Sequence, residues 1–402
     1  MRKSGRLLKF ALSFFLLGAS AHGQNWNVSD APGLGWKSLA GSLDGTKLVA
    51  AAVYYDASSG LPGLIYTSTN GGQNWNLTSA PSNYWYSVAS SADGVRLVAG
   101  ANGDPGPGYP GPICLSSNGG SIWVTSSAPF AVWQAVASST NGEILVGNAY
   151  NDGIYISTNF GANWNLATNN VPTNNAWISL AVSADGHKIY ATFNGGIYVS
   201  TNTGATWTNT APTADTWWPV ACSQDGRTVF AGIYGGTLYA STNSGSTWGL
   251  NFNQNWNWQC LAMSTNGSTV FAGNDAALWL STDGGANWNQ QNTSAILPLP
   301  ADWYCNYCSA NGGSLVAGAL GDYIYLAVPT PIPTLHIQAM ASHAIISWPA
   351  SATANGFQLK TIGVLRPAAT WTNITAGITQ IGTNNVYTNS LTAPAAFFRL
   401  EK

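Results

Sequence analysis

The chain has 402 residues, of which only 7% are charged, 45% are hydrophobic and 12% are aromatic, and its formal net charge is −2. A typical soluble domain is about 25% charged. So little charge excludes a surface that neutralises phosphates, and no nucleic-acid partner is expected. So many aromatic residues exclude a disordered chain.

The N-terminus reads as an export signal. Arg2, Lys3, Arg6 and Lys9 precede the apolar run Phe10–Ala19, and the small residues Ala21 and Gly23 suit cleavage before Gln24. Residues 1–23 are therefore a signal peptide, and the mature chain is secreted, periplasmic or at the cell surface. Beyond it no apolar run reaches the roughly 20 residues that a spanning helix needs. No membrane span is expected in the mature chain, and a monomer is the simplest state.

From Gln24 onward two motifs alternate. Trp-x-x-(Leu/Val)-Ala-x-Ser-x-(Asp/Asn)-Gly starts at Trp36, Trp85, Trp133, Trp177, Trp217, Trp258 and, more loosely, Trp303. A Ser-x-Asn-x-Gly-x-x-Trp box stands at Ser68–Trp75, Ser116–Trp123, Ser157–Trp164, Ser200–Trp207 and Ser241–Trp248, and with Asp283 for Asn at Ser281–Trp288. The unit from Trp85 shows what one repeat makes. Trp85–Ser91 is a strand, Ala92–Gly94 a turn and Val95–Ala101 a second strand. Pro112–Ser117 is a third strand, the box turns the chain, and Trp123–Pro129 is the fourth. Repeated small antiparallel sheets make a β-propeller. Gln24–Pro32 copies the outer strand Gln73–Pro81, whereas the last repeat (Trp303–Ser309, Ser314–Ala319, Tyr323–Val328) lacks a box and a fourth strand. The N-terminal strand should complete that blade. The expected fold is all-β: a seven-bladed β-propeller of four-stranded blades over residues 24–328, closed by the N-terminal strand.

Pro329–Pro333 is a stiff linker. Residues 334–402 read as a small β-sandwich module, with strands at Ala344–Ser351, Gly356–Thr361, Thr370–Thr375, Asn385–Asn389 and Ala396–Lys402. Trp348 is its expected core anchor.

The box resembles the Asp-box, or BNR, repeat, with Asn at the Asp position in five of six copies (Asn70, Asn118, Asn159, Asn202, Asn243) and acid only at Asp283. The resemblance implies that the boxes lie away from the ligand site and are structural. It extends to sialidases, xyloglucanases, sortilin-like receptors and photosystem assembly factors. The run from Ile345 through Trp348 to Phe357 and Leu359 resembles a degenerate fibronectin type III module, which implies attachment or spacing at a surface.

A sialidase site needs three arginines and a tyrosine–glutamate pair. The propeller holds only Arg96, Arg227 and Glu143, all beside Asp/Asn-Gly turns on the box side, which argues against sialidase chemistry. His187 is the lone propeller histidine, so neither a zinc site nor a serine–histidine pair is available. The turn acids Asp44, Asp93, Asp185 and Asp225 stand one per blade, too dispersed for calcium. No metal or cofactor is expected. Cys260 and Cys305 share one register in consecutive repeats, which leaves a disulfide and two buried thiols both open.

The opposite, loop face is where a ligand is expected. Its inner loops carry Asp56, Asp104, Asp152, Asp275 and Asp322 beside Tyr54, Tyr55, Tyr109, Tyr150, Phe193 and Tyr234. Asp215 and Asp302 precede motif tryptophans on the entry side, and Trp218, Trp256 and Trp279 break the repeat. Acids beside aromatic platforms suit a sugar: rings stack on its C–H faces and carboxylates accept its hydroxyl protons. Two functions follow. One is an exported binding propeller recognising a glycan or protein partner. The other is a xyloglucanase-like glycosidase using two carboxylates about 5 to 10 Å apart, with Asp56 and Asp104, or Asp302 and Asp322, as candidate pairs.

Overall fold

The computed structural model describes residues 25–54, 61–103, 109–291, 293, 302–328, 335–339, 343–349, 358–362, 372–390 and 397–401. The leader, the Pro329–Pro333 linker, Asp56 and Asp104 lie outside these. No helix long and apolar enough to cross a membrane is present among the described residues. The chain divides into two compact units between Pro329 and Thr330.

The first unit is the expected seven-bladed propeller. In the second blade Trp85–Ser90, Leu97–Ala101, Ile113–Ser116 and Val124–Thr125 pair antiparallel in that order from the axis outward. The other blades follow the same plan, with one variation. In the fifth, Val229–Ser241 runs on through its hairpin, and Gly249–Met263 serves both as outer strand there and as inner strand of the sixth. Gly235, at φ 71°, allows that tight reversal. The seventh blade is completed by Asn25–Val28, which pairs with Ile324–Val328.

The core is seven separate clusters, one per blade interface, each centred on one motif tryptophan. Trp36, Trp85, Trp133, Trp177, Trp217, Trp258 and Trp303 are all 0% exposed. Repetition of that tryptophan is therefore interblade packing. The fit is close: a Cβ at Gly147 would come within 2.9 Å of the Trp133 ring.

The box turns explain the exchange of Asn for Asp. Ser68 donates its hydroxyl to Asn70 Oδ1, which also accepts the Asn74 amide at 2.9 Å, and the Gly72 amide donates to Ser68 Oγ at 2.9 Å. Only one oxygen is needed, so a neutral amide serves as well as a carboxylate. Its free Nδ2 then donates onward, from Asn202 to Thr206 at 2.9 Å and from Asn243 to Thr247 at 2.8 Å. In the acidic copy the direction reverses, and Asp283 accepts from Asn287.

Beside the boxes, the turns after the inner strands form a closed circle. The amides of Leu43, Ala92, Thr140, Ala184, Gln224, Thr265 and Ala310 each donate to the carbonyl of the next member, the last returning to Leu43, at 2.8–3.0 Å. Seven blades close with no gap.

In the second unit His336–Ala339, His343–Pro349, Asn384–Ser390 and Ile378–Ile381 form one sheet, in that order across it, and Thr372–Asn373, Gln358–Ile362 and Phe397–Glu401 form another. The strands His336–Ala339 and Ile378–Ile381 were not expected from the sequence. Trp348 is buried with Ala344, Ile346 and Leu359, as a core anchor should be.

Candidate functional site

Every inner strand breaks register at the same place, directly after its motif tryptophan. Trp36 pairs with Ala52 and Ser38 with Ala51, leaving Lys37 unpaired. The same break leaves out Tyr86, Gln134, Ile178, Gln259 and Tyr304, and in the fifth blade Trp218 with Pro219 faces one partner residue. Such a bulge turns one side chain away from the regular alternation. The inner strands touch in cyclic order around the axis, so the seven bulged residues form a ring at the channel mouth. All seven are half-buried. The position after the bulge locks it to the next blade: Val88 donates to Ser38 Oγ at 3.0 Å and Val136 to Ser87 Oγ at 2.9 Å.

Lys37 sits between two neighbours in this ring. Its Nζ lies 3.9 Å from the Tyr304 ring centroid and 4.8 Å from that of Tyr86. Burial pulls the Lys37 ammonium down to about 8, with Cys305 and Cys260 acting the other way. Burial raises both phenols; Tyr54 and Tyr304 add to the effect on Tyr86, and Asp302, Tyr234 and Asp275 to that on Tyr304. The Trp218 and Tyr234 rings lie tilted against each other at 4.4 Å between centroids.

The expected site residues divide unevenly. Tyr109, Tyr150 and Tyr234 are 56%, 45% and 41% exposed, as a free aromatic surface requires. Tyr54 lies edge-on to Tyr84 at 5.9 Å. Phe193 is not free: it packs on Trp177 at 5.2 Å and Tyr198 at 5.7 Å, within the interblade core. Trp256 and Trp279 likewise pack around Trp258 instead of facing a ligand. Among the acids, Asp152 and Asp322 accept the hydroxyls of Tyr155 and Tyr325, and Asp275 accepts Asn257 Nδ2 at 2.7 Å. Asp215 and Asp302 are exposed. Of the bulged ring, the repeat-breaking criterion found only Trp218. The rest occupy the first x of the motif, which is Lys, Tyr, Gln, Ile, Trp, Gln and Tyr; the other x positions vary as well, so variability alone does not single this one out.

Two surface clefts lie on the opposite face, one near Lys47 and Gly119 and one near Asp185 and Asn266. Hairpin turns line them, and serine hydroxyls hold the acids there: Ser42 bonds Asp44, Ser91 bonds Asp93 and Ser183 bonds Asp185. These bonds depress all three carboxyls. All five cysteines are free thiols, which closes the question of Cys260 and Cys305: Cys260 donates to the Trp303 carbonyl and Cys305 to that of Gly318.

Fold and mouth together define a β-propeller whose inner strands place one bulged position per blade in a ring at the channel mouth. No protein-family model matches the sequence, and no curated protein is similar to it. Many solved structures share the fold, two of them YCF48 propellers. "YCF48 bound to D1 peptide" aligns with a TM-score of 0.57 at 14% identity, over 77% of this chain and 98% of that one. "YCF48 from Cyanidioschyzon merolae" aligns with a TM-score of 0.58 at 14% identity, over 76% and 99%.

Proposed function

We propose that this chain is an exported, non-enzymatic propeller that binds a protein partner through its channel mouth. The observation that carries the reading is the bulged ring. Seven identical backbone devices present seven side chains of mixed character: one cation, two amides, one aliphatic residue and three aromatics. Such variety on a uniform scaffold suits recognition of an extended segment by adaptable polar contacts and rigid aromatic anchors. A propeller of the same fold that binds a peptide supports the same reading.

A glycan is the second reading, favoured by the Trp218–Tyr234 ring pair and by Asp302 and Asp275, which both act on the Tyr304 phenol. The glycosidase alternative is weaker. Asp322, one half of the described candidate pair, is engaged by the Tyr325 hydroxyl at 2.9 Å, whereas hydrolysis needs one free carboxylate and one carboxylic acid on either side of a sugar. The boxes are read as Asp-box repeats and the second unit as a fibronectin type III-like surface module.

Panning a displayed peptide library on the mature protein, beside a glycan array and a polysaccharide hydrolysis panel, tests these readings. The expected result is peptide capture that Trp218→Ala abolishes. Glycan binding alone would favour the second reading. Turnover lost in Asp302→Asn would overturn both.

A further inference from the structure

The propeller's cations are nearly all spent on its own turns. Lys47 Nζ donates to the Asp93 carbonyl at 2.9 Å, Lys188 Nζ to that of Asp225 at 2.7 Å, and Arg96 to that of Asn141 at 3.2 Å. Arg227 lies 3.9 Å from the Asp225 carboxylate. Lys37 differs. Among the described residues it has no ion pair and no hydrogen bond, only the two tyrosine faces. Rings attract an ammonium but leave its N–H donors unsaturated.

We propose that Lys37 forms a carboxylate-binding subsite at the channel mouth, with the Tyr86 and Tyr304 rings as its walls. This rests on the partner reading above and names the chemistry by which the partner is anchored: a peptide carboxylate on the Lys37 ammonium. The carboxylate comes either from a chain terminus or from an acidic side chain. The two tyrosines hold the ammonium in place before the ligand arrives, which lowers the ordering cost of binding.

The test uses the mature protein with nitrogen-labelled lysine side chains, titrated with N-acetylglycine, propionate and N-acetylglycinamide. Lys47 and Lys188 serve as internal references, and Lys37→Arg assigns the signal while keeping the charge. The expected result is a saturable shift of the Lys37 resonance with both acids and none with the amide. Lys37→Gln should weaken N-acetylglycine roughly tenfold or more, the scale of a lost charge-assisted hydrogen bond. N-acetylglycine binding more tightly than propionate assigns the terminal carboxylate. Equal binding of the two acids assigns the side chain. No Lys37 shift, or an equal shift with the amide, overturns the subsite. Because the probes are small acids, the subsite succeeds or fails independently of the peptide screen.

Discussion

At the scale of single residues the chain replaces charge with amide and hydroxyl wherever geometry alone is required. The box needs one oxygen to gather an upstream hydroxyl and a downstream amide, so Asn202 and Asp283 do the same work. Asn202→Asp should change stability by less than about 0.5 kcal/mol, because Thr206 can reverse its hydroxyl to donate. Asn202→Ala should cost about 1–3 kcal/mol by leaving the Thr206 amide and the Ser200 hydroxyl unpaired. Urea denaturation of the two variants checks both. Lys37 is the opposite case, a charge kept at a cost. Its ammonium is held at about 8 in the fold against an ordinary 10.5. Between those values the unfolded chain binds the extra proton, so stability rises with pH there. The facing groups stay neutral across most of that window, since burial raises Tyr86, Tyr304 and Cys260 and pushes Cys305 up to about 12. Lys37→Met should therefore be more stable than the parent at pH 7. The gap should narrow by on the order of 1–2 kcal/mol towards pH 10, discounted for water in the open mouth. Urea titrations of both proteins at several pH values read the difference. A constant gap would show that the ammonium is not buried.

At the scale of strands the blades were legible because hairpin turns leave strong marks: Asp-Gly, Asn-Gly and the serine two residues before. The N-terminal strand was legible because Gln24–Pro32 copies the outer strand Gln73–Pro81, whereas the last repeat lacks an outer strand. The bulges were not, since a bulge after tryptophan needs no glycine and breaks a period-two pattern by one residue. The same one-residue slip hid the site, because six of the seven ring residues read as ordinary positions in a strand. Phe193 shows the converse error. It ends a strand on the loop face, and only the depth of the Trp177 cluster decides that it packs inward. The two missed strands of the second unit lack the repeat, and the Gly382–Thr383 turn after Ile378–Ile381 went unread. Closure by Asn25–Val28 also predicts where the propeller is weakest. Trp26 is 5% exposed and stacks on Phe271 at 5.7 Å. Trp26→Ala should cost about 3–5 kcal/mol, as emptying a buried aromatic site does. It should also free Ile324–Val328 as an unpaired edge that promotes aggregation, which light scattering during refolding will detect.

At the scale of the whole molecule the closed circle of turn amides decides how that damage spreads. Leu43, Ala92, Thr140, Ala184, Gln224, Thr265 and Ala310 each bond to the next blade, so exchange at each requires an interblade hydrogen bond to break. In an open array, parting one pair would leave the others intact, and a defect would stay local. In a closed ring, a blade cannot tilt away without straining both of its interfaces, each sealed by a wholly buried tryptophan. The seven amides should therefore exchange through one common opening with closely similar free energies, the global value. Trp26→Ala, which touches only the junction of the sixth and seventh blades, should lower all seven by the same amount, including Ala184 on the far side of the ring. Hydrogen exchange of the parent and the variant, read amide by amide, measures this directly. If Thr265 and Ala310 lose protection while Ala92, Thr140 and Ala184 keep theirs, the propeller opens blade by blade and the circle is only a row of local contacts. If all seven fall together, closure by a four-residue strand sets the stability of every blade, and the channel mouth keeps its ring of seven side chains only while that strand is docked.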